Sequence, residues 1–258
     1  MLGFNGGLIG AQRSTNVGSA PGIWTPNEQI VAQRVEAWPT IAGIPVPALW
    51  YDFSDANTVT VASSQITQIT SKGTKAWTLT KSATGPGYTT GINGLNCCDW
   101  GSVNHSNYLR NSNAETLAIG ELYVVVDSSF GGTFPARATL ISAVAAAWSF
   151  MGSPGSTTFI NSGTTFDDVF INGGATDRFS NVFTSPSIDS PAIMRVVSNT
   201  SATFNATDGF QIGGEKSTAN RGWLGLAGEY LVYSAPLSVV NRGLVMNYLA
   251  NKWGITLV

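Results

Sequence analysis

Short runs of alternating apolar and polar residues follow one another from residue 48 onward, separated by turn residues such as Gly, Pro, Asn and Ser. A period of two residues is typical of strands that bury one face. Because no helical pattern alternates with these runs, they predict antiparallel sheets rather than β-α-β units. The predicted strands span residues 48–52, 58–62, 66–69, 117–127, 139–150, 166–172, 192–198, 203–206, 210–213 and 223–233.

One helix is predicted near the end of the chain, with Pro236 near its start and Gly254 at its end. The apolar residues that recur in it at helical spacing are Leu237, Val240, Leu244, Tyr248 and Leu249. We expect this face of the helix to cover part of the sheets.

Residues 1–47 have a different texture, because they are rich in Gly at the start and in Pro at the end. Thr25 suits the N-cap of a short helix that Pro39 ends. A helix of three turns with a narrow apolar stripe is not stable alone, so we expect this N-terminal arm to pack on the main domain or on another protein. The residues expected to make that contact are Trp24, Val31, Val35 and Trp38.

Composition narrows the classes of partner. Charged residues make up 11% of the chain, against about 25% in a typical globular protein. With only 13 Lys and Arg residues and a net charge of −2, no nucleic-acid partner is expected. The longest apolar stretch, residues 140–150, is about half the length of a membrane span, and the first residues lack the charged region of a signal peptide. We therefore expect no membrane anchor.

The two cysteines, Cys97 and Cys98, are neighbours in the sequence. A disulfide between neighbours is strained, so we predict reduced, packed thiols, which are compatible with folding in a reducing cytoplasm. No second cluster of Cys or His accompanies them, which gives a redox or metal-binding role little support.

Two stretches of the strand-rich part stand out. The first, at 49–59, reads Leu-Trp-Tyr-Asp-Phe-Ser-Asp-Ala-Asn-Thr-Val, and the second joins Gly-Leu-Ala-Gly-Glu-Tyr-Leu-Val-Tyr at 225–233 to Tyr-Leu-Ala-Asn-Lys-Trp-Gly at 248–254. They resemble the opening and closing segments of concanavalin-A-like lectin/glucanase domains of the laminin-G type. The resemblance implies a jelly-roll β-sandwich over residues 48–258.

The arm carries Gly-Ile-Trp-Thr at 22–25, Glu28-Gln29, Arg34 and Trp38-Pro39. This pattern is similar to leader segments on structural proteins of tailed bacteriophages. The similarity implies that the arm docks on other virion proteins and that the sandwich is displayed on a particle assembled in the host cytoplasm. Such a protein is a tail or fibre adhesin that contacts host surface glycans, or a head decoration protein, and we expect a homo-oligomer.

Candidate catalytic groups are few. Glycan-hydrolysing relatives of this fold carry a Glu-x-Asp-x-Glu run, which this chain lacks. Glu121 and Asp127 share a strand face, but six residues place them about 20 Å apart. Glu229 matches the glutamate of the closing motif and is interpreted as structural, and the sole histidine, His105, stands in a polar loop. We therefore expect a non-enzymatic protein. The alternatives are a free-standing glycan-binding lectin and, more remotely, a glycoside hydrolase acting through Glu121 or Glu229.

Trp77 and Tyr88 stand near predicted loops and are the candidate glycan contacts, since exposed aromatic rings stack on sugars. The resemblance to calcium-binding lectins also implies a weak calcium possibility, and no other cofactor is expected. Its candidate ligands are Asp167 with Asp168, or Asp52 with Asp55. The alternative is that these aspartates cap turns by accepting from their own backbone, and that role suffices here.

Overall fold

The computed structural model describes residues 44–101, 107–111, 117–134, 138–143, 149–162, 166–177, 181–204, 210–214 and 221–258. Two compact units divide the chain, residues 1–46 and residues 47–258. The docking residues predicted in the N-terminal arm lie outside the described residues: Trp24, Val31, Val35 and Trp38.

Strands rich in β-branched and aromatic residues are the main regular elements of the larger unit, as the period-two pattern predicts. The strands in the described ranges are β1 Leu49–Asp52, β2 Val59–Ala62, β3 Gln65–Thr70, β4 Thr78–Lys81, β5 Gly87–Thr90, β6 Asn96–Asp99, β7 Leu109–Arg110, β8 Leu117–Ser128, β9 Thr139–Ala143, β10 Ser149–Gly152, β11 Phe159–Ser162, β12 Phe166–Ile171, β13 Gly174–Asp177, β14 Ala192–Phe204, β15 Phe210–Ile212 and β16 Gly225–Tyr233. A 3₁₀ turn spans Ile92–Gly94, and the helix α1 spans Val239–Trp253.

Neighbouring strands pair antiparallel in the order β11-β10-β9-β15-β7-β4-β3-β5-β6-β16-β8-β14-β12-β13, with β1 beside β16 and β2 beside β3. The contact between β3 and β5 is short: one residue pair in register, Gln65 with Gly87, flanked by backbone hydrogen bonds from Ile66 to Pro86 and from Tyr88 to Ser64. On either side of this contact, the curled sheet forms two layers that share one apolar core. Tyr51 of β1 stacks on Phe210 of β15 across that core, with 6.3 Å between ring centroids. The predicted all-β antiparallel sandwich with a C-terminal helix is confirmed.

Alternation along β8 decides which side chains reach the core. Leu122, Val124 and Val126 belong to the core cluster, so Tyr123 and Asp127 point to the opposite side of the sheet, which we call the outer face. Helix α1 packs on part of this outer face and leaves another part open. The division between the covered and the open part positions the candidate site.

Two predicted strand boundaries are wrong. Residues 139–150 form two strands, β9 and β10, that pair with each other, rather than one long strand. Residues 192–198 and 203–206 were expected as separate strands, but β14 runs continuously through them to Phe204. A bulge between Val197 and Ala202 lets one strand follow β8 along its whole length, where the polar residues in between suggest a turn.

Helix α1 begins after Ser238, whose hydroxyl accepts from the Asn241 N–H at 3.2 Å, and ends at Gly254 with φ of 66°. Both ends agree with the predicted helix. The predicted buried face is partly wrong, because Val240 is 73% exposed. The buried residues of the helix are Val245, Met246, Leu249, Ala250 and Trp253. The helix therefore packs on the sheet mainly through its C-terminal half, where Trp253 lies against Gly228 of β16.

The hairpin from β2 to β3 has a strained turn. Ser63 and Ser64 connect paired residues Ala62 and Gln65, and their φ angles are 51° and 61°. A two-residue connection with both φ angles positive is the type I′ turn, which prefers Asn-Gly because non-glycine residues pay about 1 kcal/mol in the left-handed region.

We expect the double substitution Ser63→Asn and Ser64→Gly to raise the free energy of unfolding by about 1 kcal/mol. Urea denaturation measures the change. Ser234→Gly is the matched control, since Ser234 is exposed and outside the left-handed region, so no gain is expected there. A double variant no more stable than the wild type would contradict the strained turn.

Candidate functional site

Glu229 in β16 is fully buried on the outer face, directly under helix α1. Its carboxylate accepts from Lys252 Nζ at 2.8 Å, from Trp253 Nε1 at 2.8 Å, from the Tyr248 hydroxyl at 3.0 Å and from Trp50 Nε1. Four donors around one carboxylate leave it no free lone pair for a substrate. Its interpretation as a structural residue is supported by these contacts.

Asp52 of β1 lies opposite Glu229 in the strand register. Lys252 Nζ is 2.7 Å from Asp52 Oδ1, so one ammonium group joins the two carboxylates. Burial, together with the charge of Asp52, raises the pKa of Glu229. Burial alone would raise the pKa of Asp52 as well, but Lys252 and Lys72 outweigh it and hold that pKa below its ordinary value. Both side chains are buried, so neither carboxylate is open to a substrate in this structure.

Glu121 of β8 is the other fully buried glutamate of the outer face. It accepts from Arg195 Nη1 at 2.8 Å and from the Leu237 N–H at 2.7 Å, just before helix α1, and Arg242 Nε lies 3.1 Å away. Tyr123 also donates its hydroxyl to this carboxylate at 3.0 Å. Both glutamates are fully buried and paired, so their placement gives no support to the remote alternative of a hydrolase acting through Glu121 or Glu229.

An open pocket lies on the outer face beyond the two buried glutamates. Leu226 of β16 is in register with Asp99 of β6 on one side and with Asp127 of β8 on the other. Residues in register on neighbouring strands project from the same face, so both carboxylates flank the leucine. We call this feature the Asp99–Asp127 pocket; it encloses about 360 Å³ and is lined by Asp99, Gly101, Asp127, Ser128, Ser129, Gly225 and Leu226.

Gly225, which lines the pocket, lies close against the backbone of β8. Gly225 has φ of 93°, and a Cβ there would lie 2.4 Å from the Asp127 carbonyl oxygen. Its N–H donates to the Gly101 carbonyl at 2.7 Å, and the Gly101 N–H donates to Asp99 Oδ1 at 2.7 Å. Only glycine at position 225 satisfies both the close approach and the positive φ.

Asp127 is the electrostatically unusual residue of the pocket. Burial raises its pKa, and the nearby charge of Asp189 raises it further. Asp189 is itself held in position by the Ser128 hydroxyl and by the N–H groups of Phe130 and Gly132. Within the part of the chain that the structure describes, no donor is recorded for the Asp127 carboxylate. A half-buried carboxyl that faces a pocket without a partner is a candidate ligand-binding group.

Two acceptors separated by an apolar residue suit a ligand with several hydroxyl donors. Two strand spacings put the Cα atoms of Asp99 and Asp127 about 10 Å apart.

Cys97 lies two residues before Asp99, and burial, with the charges of Asp127 and Asp99, raises the pKa of its thiol to about 11. The thiol therefore stays protonated at neutral pH. Both cysteines are free and buried, as predicted.

Sequence reasoning did not single out Asp99, and it considered Asp127 only together with Glu121. Asp99 and Asp127 are 28 positions apart, and a third strand lies between them. The signal that unites them is the pairing of β6 and β8 with opposite edges of β16, which a single sequence does not reveal. The predicted shared face of Glu121 and Asp127 along β8 is consistent with their placement.

The two predicted glycan contacts, Trp77 and Tyr88, differ in their exposure to solvent. Trp77 is only 4% exposed and belongs to the core, so its prediction as an exposed stacking residue is wrong. The segment before it folds back on β1, where the Lys72 N–H donates to the Trp50 carbonyl at 2.8 Å, and this carries Trp77 inward. Tyr88 is partly exposed and donates its hydroxyl to the Phe53 carbonyl at 3.0 Å, so its role as a glycan contact stays a prediction.

The calcium candidates gain no support. Asp52 and Asp55 hold the Lys72 ammonium between them at 3.2 and 3.0 Å, so their charge is already compensated. Asp168 is exposed within β12, and the side chain of Asp167 lies outside the described residues, as does His105. Among the described residues, no group of three or more His, Cys, Asp or Glu side chains is placed to hold a metal ion.

Comparison of the chain with protein-family models, with curated proteins and with solved structures found no match. In the part of the chain that the structure describes, no helix is long and apolar enough to cross a membrane.

We expect Glu229→Gln to lower the free energy of unfolding by roughly 3 kcal/mol, because the amide cannot neutralise Lys252 and turns a donor toward Trp50 or Trp253. Thermal and urea unfolding measure the loss. Asp55→Asn is the control, since Asp55 is partly exposed and its pair with Lys72 contributes at most about 1 kcal/mol. Equal, small losses in both variants would refute a structural role for Glu229.

We expect Asp127→Asn to stabilise the protein at pH 7 and to lose this advantage below about pH 4, the ordinary pKa of an unfolded aspartate. A folded-state pKa above the unfolded value means that wild-type stability falls as pH rises through the folded pKa. Urea denaturation from pH 3 to 7 measures the difference. Asp168→Asn, at an exposed position, is the control and should follow the wild type. A destabilised Asp127→Asn at pH 7 would contradict the raised pKa.

Proposed function

We propose that this chain is a non-enzymatic virion structural protein whose β-sandwich recognises hydroxyl-rich ligands, such as host surface glycans, in the Asp99–Asp127 pocket. The observation that carries the recognition is the open pocket itself, with a half-buried carboxylate at its wall that has no hydrogen-bond donor among the described residues. Ionised carboxylates accept strong hydrogen bonds from hydroxyl groups. Leu226 between them offers an apolar surface for the C–H face of a sugar ring.

Display on a bacteriophage particle is the second part of this proposal. It depends on the resemblance of the N-terminal arm to leader segments of phage structural proteins. Other virion proteins are the proposed partners of the arm, through Trp24, Val31, Val35 and Trp38, on a tail fibre or on the head. A free-standing lectin has the same pocket and differs only in this attachment.

Binding of the full chain to a glycan array tests the recognition. For each glycan bound, we expect Asp99→Asn and Asp127→Asn to weaken affinity about tenfold or more, since each removes a charge-assisted hydrogen bond. Asp168→Asn is the control, because Asp168 is exposed and about 20 Å along the sheet from the pocket. It should bind like the wild type. The proposal fails if no glycan binds, or if both pocket variants bind undiminished.

A glycoside hydrolase acting in this pocket is the second candidate. Asp99 and Asp127 flank one residue, and the raised pKa of Asp127 is typical of a general acid. Inverting hydrolysis places two carboxyl groups about 6.5–9.5 Å apart, a separation that Cα atoms about 10 Å apart permit. Incubation of the full chain with the glycans that it binds distinguishes the two. Release of reducing sugar that Asp127→Asn abolishes would replace the non-enzymatic proposal.

A further inference from the structure

The strand β2 forms an edge of the sandwich. It pairs with β3 on one side, and no strand among the described residues pairs with its other side. Thr60, Val61 and Ala62 are exposed, Val61 by 40% of its surface. An unpaired edge presents a row of N–H and C=O groups to which another strand can add.

The pairing with β3 identifies which backbone groups point outward. The Thr70 N–H donates to the Thr58 carbonyl at 2.9 Å, so position 58 points toward β3. The Ile66 N–H donates instead to Pro86 at 2.9 Å, away from β2, which makes Val61 and Ile66 a pair without mutual hydrogen bonds. Because hydrogen-bonded and non-hydrogen-bonded positions alternate in antiparallel ladders, the free N–H and C=O groups belong to Val59 and Val61.

Residues that usually protect an edge are missing from this one. From Ala56 to Ser71 the chain contains no charged residue and no proline. Natural sheets protect exposed edges with lysine, proline, inward-facing charges, a covering segment, a bulge or a short strand, because unprotected edges associate. Of these, β2 has only a short length of four residues and a bulge in its pairing with β3. Position 61 in particular places a valine where a lysine would prevent pairing.

We propose that β2 pairs antiparallel with β2 of a second copy of this chain, around a twofold axis through Thr60. In this register Val59 of each copy faces Val61 of the other, and each of these two residue pairs exchanges two N–H···O=C bonds. Every outward backbone group of Val59 and Val61 then has a partner. A second copy fits because the free positions are symmetric about Thr60 and because no charge opposes the contact.

A cysteine at the axis tests the register. Thr60 faces itself as a non-hydrogen-bonded pair, for which Cα atoms lie about 4.5 Å apart, within disulfide range. We expect Thr60→Cys in the full chain to form a disulfide-linked dimer under mild oxidation. Ala62→Cys is the matched control, as exposed and on the same strand, but its Cα atoms lie about 13 Å apart across the axis. The native Cys97 and Cys98 are buried.

Mass in solution provides an independent measurement. An edge of four residues makes a small interface, so sedimentation equilibrium of the full chain at about 0.1 mM is appropriate. We expect the wild type to contain dimers and Val61→Lys to lack the dimers formed through β2. Thr89→Lys, at an exposed position of β5, should match the wild type. The proposal is overturned if the wild type is monomeric, if Val61→Lys leaves its mass unchanged, or if Thr60→Cys crosslinks no faster than Ala62→Cys.

Discussion

The burial of Glu229 beneath helix α1 is the constraint on which the outer face depends. A carboxylate removed from water is costly unless charged and neutral donors replace its hydration. Here the donors come from β1, through Trp50, and from the last turn of the helix, through Lys252 and Trp253. Any other placement of the helix leaves a buried charge unpaired. The buried pair of Glu229 and Lys252 thus determines where the helix lies more than it adds to stability.

Glu121 performs the same task at the other end of the helix. It accepts from the Leu237 N–H and lies beside Arg242 in the first turn. A negative charge at the N-terminus of a helix and a lysine in its last turn both interact favourably with the helix dipole. Two buried glutamates on neighbouring strands therefore hold α1 at both ends, and only a few apolar residues are needed between them. This explains why Val240 can be exposed while Trp253 is buried.

The same alternation that buries Glu121 leads to the open pocket. Glu121, Tyr123 and Asp127 all project from the outer face of β8, but the first two receive partners from the covered part of the face. Asp127 lies beyond it and keeps an unfavourable, raised pKa beside Asp189. A residue that destabilises the fold in this way is not explained by stability alone, which is why uncompensated carboxyl groups are candidate functional groups.

Short-range sequence patterns predicted the positions of single elements well. The side chains that meet across the sheet depend instead on strand register. The end of helix α1 at Gly254 and the strand β8 follow from short-range chemistry, and they appear near their predicted positions. Trp77 was misjudged because its burial depends on a segment that folds back on β1, far away in sequence. Asp99 was missed for the same reason, since it meets Asp127 only through β16. Pairing between distant strands leaves little trace in the spacing of residues along one chain.

A shallow pocket with two acceptors is suited to weak individual contacts. In the function proposed above, each sugar in the Asp99–Asp127 pocket would gain few desolvated hydrogen bonds, and much of the gain would offset the cost of immobilising the ligand. Presentation of several pockets on one object would change this balance, because the second contact becomes intramolecular and raises the effective affinity without new interactions. The proposed pairing of β2 and the proposed attachment through residues 1–47 would both bring copies together. Under these proposals, recognition is a property of the assembled copies rather than of one pocket.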